Sequence, residues 1–167
     1  METQKSKKVQ ANRQRKMADI RATALQIILE SGLEGLSMHE LARRRNVTVG
    51  ALYRYYDSKQ SLVISLEFEC LETVRDAMAR LQFQDFDQAQ PLSYAFQSLL
   101  QIVDTYSQTL FENPAHERLI SGILATPTPV VLDDDRSAAV HKMFEALAIP
   151  IDQIQRLMDA GILTSGQ

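Results

Sequence analysis

Residues 37–59, SMHELARRRNVTVGALYRYYDSK, constrain the fold more than any other stretch, because two helix-start signals stand 11 residues apart in it. Ser37 precedes an apolar-periodic run and Glu40 follows three residues on, the spacing of a capping box. Leu36 and Leu41 are spaced to close a hydrophobic staple around that start. Thr48 is the second cap signal, with Val47 and Leu52 as its staple pair. The intervening Arg45-Asn46-Val47 must then be a turn. Asn46 falls where the chain leaves a helix, and asparagine tolerates the left-handed conformation better than most residues. Two short helices joined by a three- or four-residue turn make the helix-turn-helix unit, whose second helix lies in the major groove of DNA.

The second helix has the composition that a reading helix needs. Gly50 and Ala51 keep its N-terminal end slim, so backbone can approach base edges. Tyr53, Arg54, Tyr55 and Tyr56 supply hydroxyl and guanidinium donors. Arg43, Arg44 and Arg45 cluster at the turn. Lys59 opens the next helix, where unpaired backbone N–H groups already favour a phosphate. By position, Ser37, Tyr55 and Lys59 are assigned to phosphates, and Thr48 is able to share one. Val49, Gly50 and Tyr53, with Arg43 or Arg44, are assigned to base edges, and Leu52 to the core.

At these residues the chain resembles the TetR family of transcriptional regulators. The matching residues are Ser37, the Leu41-Ala42 pair, the run VTVGALYRYY over 47–56 and SKQSL over 58–62. The chain departs at Asn46, Tyr56 and Gln60, where the family usually has Gly, Phe and Glu. The likeness runs over residues 18–62. It implies an all-α fold, with an N-terminal three-helix helix-turn-helix head followed by a helical C-terminal ligand and dimerisation region. It implies a ligand-responsive repressor that binds a palindromic double-stranded operator as a homodimer, and it places Tyr56 in the core. It further implies an apolar small-molecule effector enclosed by the C-terminal helices. Residues 158–163, MDAGIL, look like the phrase that commonly precedes the family's final helix pair. The usual dimer surface is therefore expected to be short.

Charge is distributed as this reading requires. Residues 1–60 carry a net +6 and residues 61–167 a net −9, although the whole chain is only −3. A basic module joined to an acidic one orients itself on a polyanion. A single cysteine, Cys70, excludes an internal disulfide and points to a reducing, cytoplasmic compartment. No apolar run is long enough to cross a membrane, and the charged N-terminus is no secretory signal. His39, His116 and His141 share no metal-site spacing, and no phosphate loop or nucleophile elbow is present, so neither enzyme nor metal or other cofactor is expected. Cys70 lies on an apolar stripe, where packing outweighs redox chemistry. Asp133, Asp134 and Asp135 read as a helix start.

Apolar periodicity sets the remaining elements. Residues 1–12 read as a flexible basic arm, with Lys5, Lys7 and Lys8, and Arg13 just beyond, available to phosphates or the minor groove. The first helix spans 13–31 and stops at Gly32, with Leu33 and Leu36 under the core. Met38, Leu41, Ala42, Val47 and Leu52 face inward from the next two helices. A fourth helix runs from 57 or 58 to 81, and 82–90 is a linker holding Phe83 and Phe86. A fifth runs 91–112, with Leu92, Phe96, Leu99, Leu100, Val103, Tyr106 and Leu110 inward. A sixth spans 115–124, and a stiff Thr-Pro-Thr-Pro segment follows at 126–129. Further helices cover 136–147 and 152–160, separated by Pro150 and closed by Gly161. The domains so defined are 1–57, the DNA-binding head, and 58–167, the regulatory region. Phe96, Leu100, Val103, Tyr106, Phe111, His141 and Phe144 are the candidate effector contacts. A second reading stays open: a small-molecule-binding or protein-interaction module whose DNA head is weak or vestigial.

Overall fold

The computed structural model describes residues 4–83, 89–125 and 133–163, without the side chains of Lys5, Leu124, residues 133–141 and Met143. Among them the elements are α1 (Gln4–Gly35), α2 (Met38–Arg45), α3 (Val49–Tyr53), α4 (Lys59–Met78), α5 (Pro91–Glu112), α6 (Pro114–Leu124) and α7 (Asp133–Asp159). The fold is all-α, as the periodicity requires. The chain forms two compact units: residues 1–67 with 114–135, and 68–113 with 136–167.

In the first unit the helices close on one apolar core. Ile20, Ala24, Ile27 and Ile28 from α1 meet Met38, Leu41 and Ala42 from α2, Leu52 from α3, and Leu62 and Leu66 from α4. The α1 stripe recurs at three- and four-residue steps, the period that brings side chains to one helical face. Gly32 breaks the helix with φ 73°, and the next turn tucks Leu33 and Leu36 beneath the core. Gly32 is needed there because left-handed backbone costs a side-chain-bearing residue roughly 1–2 kcal/mol. Tyr56 is also buried; its hydroxyl takes a hydrogen bond from Arg21 at 3.2 Å and donates to the Met17 carbonyl at 3.5 Å.

Three sequence expectations need correction in this unit. Residues 4–12 are not an irregular arm but the first turns of α1, exposed throughout where described. Val47 does not face inward; it is 43% exposed. Its N–H donates to the Ala42 carbonyl at 3.0 Å, which closes the end of α2 and leaves Val47 outside the core. Finally, α6 belongs to the head. It packs on α1 and inserts Leu119, fully buried, into the same apolar cluster. A Cβ on Gly122 would come within 2.9 Å of Leu33 Cβ, so a side chain there would push the two helices apart.

Glu67, half-buried on α4, holds one carboxylate oxygen out of solvent. Glu67 Oε1 has no hydrogen-bond partner among the described residues, and burial pushes its carboxyl pKa up. An acid with a raised native pKa loses stability as pH climbs past the unfolded value, because ionisation is then cheaper in the unfolded chain. Glu67→Gln should therefore stabilise the protein at neutral pH by about 0.5–1 kcal/mol, a figure reduced for partial exposure. The gain should vanish once pH falls below the ordinary carboxylate value of 4.5, where both variants are neutral. Urea melts at several pH values measure it directly.

In the second unit α5 turns an unexpected face inward. The buried residues are Ala95, Ser98 and Thr109, whereas Leu92, Phe96, Leu100, Val103 and Tyr106 are exposed, Leu92 at 74% and Phe96 at 68%. The inward row 95, 98, 102, 105, 109 has helical spacing and mostly small side chains, which allow a closer approach than the bulky stripe beside it. A buried polar network fixes the choice: Gln153 of α7, 1% exposed, donates to Tyr94 at 3.1 Å and to Ser98 at 3.0 Å. Helix α7 also runs through Pro150 instead of stopping there. Ala146, Pro150, Gln153 and Leu157 form one buried row at four-, three- and four-residue steps, so packing holds the helix in register across the missing N–H. Gly161, φ 70°, then ends it as expected. Helix α4 begins at Lys59 and stops at Met78, three residues short of the expected end, and buries Cys70, Val74 and Met78. Phe86 and the Thr-Pro-Thr-Pro segment lie outside the described residues.

Candidate nucleic-acid interface

Two caps and a left-handed turn build the interface. The Glu40 N–H donates to Ser37 Oγ at 3.1 Å, and the Ala51 N–H donates to Thr48 Oγ1 at 3.2 Å. Both hydroxyls thus satisfy helix-start donors that water would otherwise have to serve. Asn46 takes φ 53°, ψ 46°, the left-handed position anticipated for it. The next start, at α4, is a reciprocal serine pair: Ser61 N–H donates to Ser58 Oγ at 3.0 Å, and Ser58 N–H to Ser61 Oγ at 3.2 Å.

Helix α3 presents a slim outer face. A Cβ on Gly50 would meet nothing within 4 Å, Tyr53 is 45% exposed, and Val49 is partly buried against the core. Leu52, on the opposite side, is the anchor. Ser37 and Thr48 are exposed at their caps. Tyr55 is half-buried, with the Arg13 guanidinium 5.9 Å from its ring centroid, a distance at which the cation is attracted to the π-face. Lys59 is exposed, and its ammonium donates to the Leu33 carbonyl at 3.4 Å.

The three turn arginines are already engaged. Glu40 does not reach back to complete the capping box. Its carboxylate accepts two bonds from Arg43, both 2.8 Å, and one from Arg44 at 2.7 Å. Arg43 first and Arg44 second hold the Glu40 carboxyl down at about 2. Arg44 also pairs with Glu30 at 2.7 Å, which lowers the Glu30 pKa and raises that of Arg44. Arg45 donates to the Asp19 carbonyl at 2.8 Å and to Thr23 at 3.1 Å. Sequence reasoning counted these arginines as donors and missed the carboxylates, because Glu30 and Asp19 come beside them only through the α1–α2 packing.

The candidate effector residues do not converge in the same way. Phe96, Leu100, Val103, Tyr106, Phe111 and Phe144 are all exposed, and the His141 side chain lies outside the described residues. Among the described residues no helix is long and apolar enough to cross a membrane, and no three His, Cys, Asp or Glu side chains group as metal ligands.

A three-helix core with a capped, slim and solvent-facing α3 defines a helix-turn-helix head. Residues 20–66 match the family model described as bacterial regulatory proteins, tetR family. Over this head, the chain is similar to the TetR family of bacterial regulators. A 73-residue stretch is 38% identical to the HTH-type transcriptional repressor KstR of Mycolicibacterium smegmatis, covering 42% of this chain and 35% of that protein. The chain therefore spans about a third of that relative's length. The fold resembles a putative tetR family transcription regulator from Shewanella sp. PV-4, with TM-score 0.68 and 23% identity over 90% of this chain and 74% of the other. It also resembles the TetR family regulator PfmR of Thermus thermophilus, with TM-score 0.61 and 16% identity over 89% and 75% of the two chains.

Proposed function

We propose that the protein is a cytoplasmic transcriptional repressor that binds operator DNA with α3 in the major groove. The observation that carries this reading is the outer face of α3, where Gly50 leaves open space beside the exposed Tyr53. A slim helix face lets the backbone come close to base edges, and a hydroxyl beside it can hydrogen-bond to them. In this reading Val49, Gly50 and Tyr53 face base edges, and Ser37, Thr48, Tyr55 and Lys59 set the register on phosphates. Arg43 and Arg44 take part by exchanging the Glu40 carboxylate for a phosphate, an exchange between partners of like charge.

The operator is a palindrome and the protein acts on it as a homodimer, since one short α3 reads only a half-site. An apolar effector, bound to the second unit, lowers operator affinity by favouring a form whose two heads no longer match the half-site spacing. Support for the dimer and the effector comes from the exposed apolar side chains of α5 and α7, among them Leu92, Phe96, Leu100 and Phe144. Apolar stripes of this kind mark surfaces that meet another apolar body.

Selection of bound duplexes from random oligonucleotides tests the proposal. Enriched inverted repeats are expected, and a lack of enrichment would count against DNA recognition. On the selected operator, Tyr53→Ala or Lys59→Ala should each weaken binding by about 1–3 kcal/mol in an anisotropy titration. Light scattering should give twice the chain mass.

A further inference from the structure

The cations that sequence reading singles out at the turn each hold a carboxylate, but another set does not. Arg13, Lys16 and Arg54 are exposed and make no ion pair with any described residue. They stand up to 41 positions apart in the chain, yet they line one open groove with Val9, Asn12 and Tyr55. Two walls of that groove are successive turns of α1. The third is the segment that directly follows α3. Six cations and no acidic residue occur over residues 4–16, so no internal counter-charge is available on that stretch of α1. Like charges at three-residue steps (Lys5 and Lys8, Arg13 and Lys16), added to the positive end of the helix dipole, disfavour such a helix alone and favour an anion beside it.

We infer that the groove between the N-terminal turns of α1 and the end of α3, lined by Arg13, Lys16 and Arg54, binds a backbone phosphate of duplex DNA outside the base pairs that α3 reads. The inference rests on the DNA-binding reading above. Three unpaired cations with a phenol and an amide, and no carboxylate among the lining residues, suit a phosphate diester, which accepts several donors at once. Arg13 has a second effect: stacked on Tyr55, it holds that ring at the groove wall and so fixes where the hydroxyl lies. Because the contact is made from a helix rigidly continuous with the core, it falls at a set distance from the half-site. It carries register and affinity, not base preference.

The test is a titration of the full chain with its selected operator over a range of potassium chloride concentrations. Arg13→Gln, Lys16→Gln and Arg54→Gln are compared with the wild type, and circular dichroism checks that each remains folded. The slope of log affinity against log salt should become shallower by roughly one in each variant, while the ratio of operator to scrambled affinity stays unchanged. Trimming the duplex flanks should reduce the wild-type slope, and should reduce the slope of each single variant by less. Unchanged slopes, indifference of the wild type to flank length, or a changed base preference at full slope would each overturn the inference. Tyr53→Ala separates the two readings. If it weakens operator binding while the three variants behave as wild type, the groove is wrong and the reading head stands. If the wild type prefers no duplex, the reading head itself fails and the groove falls with it.

Discussion

Gly50→Leu should leave the head folded and remove operator recognition. In the free protein a Cβ at this position meets nothing within 4 Å, so the larger side chain projects into solvent and strains no neighbour. Replacing a helical glycine also restricts the unfolded chain and helps the short α3, where glycine costs roughly 0.5–1 kcal/mol relative to alanine. The thermal midpoint should therefore stay level or rise slightly. On DNA the same side chain would stand between the helix backbone and the base edges. Exclusion from a close-packed contact should cost at least ~3 kcal/mol, more than a hundredfold in affinity, since two or more bidentate or apolar base contacts worth about 1–3 kcal/mol each are lost together. Thermal melting paired with an anisotropy titration reads both effects. A Gly50→Leu protein that binds the operator at wild-type affinity would place the reading surface elsewhere.

Leu119→Ala should destabilise the head as severely as a substitution within the helix-turn-helix itself. Leu119 is 0% exposed and shares a core with Ile20, Leu41 and Leu62, although it lies 57 residues beyond Leu62. Truncating a fully buried leucine removes its transfer free energy and leaves a cavity, together about 2–5 kcal/mol. Of a total stability on the order of 5–15 kcal/mol, that is enough to lower the melting temperature substantially. A head that folded independently of α6 would show almost no change. Leu41→Ala, also at a fully buried position, is the reference measurement.

The local grammar of the reading unit was legible in the sequence because each part of it is settled within four or five residues. Ser37 and Thr48 cap, Asn46 turns left-handed, Gly32 and Gly161 end helices, and Leu41 and Leu52 are core, while the burial of Tyr56 was implied only by the family resemblance. Capping bonds and backbone handedness depend on immediate neighbours, so spacing alone predicts them. The all-α class follows from the same short-range periodicity.

What lay beyond reach was everything that depends on which bodies meet. Hydrophobicity nominated the bulky stripe of α5 for the interior, but helix approach distance selected Ala95 and Ser98, with Gln153 bonded to Ser98 across the interface. Pro150 looked like a stop, until a packed row on α7 outweighed the one lost hydrogen bond. Neither the return of α6 to the head nor the pairing of Arg44 with Glu30 has a signature in sequence spacing, whereas the Glu40 pairs with Arg43 and Arg44 stand at three- and four-residue steps on one helix. Local conformation is decided by a residue and its neighbours along the chain. Burial and charge pairing are decided by surfaces brought together from distant parts of it, so tertiary structure alone determined which cations remain open to a phosphate.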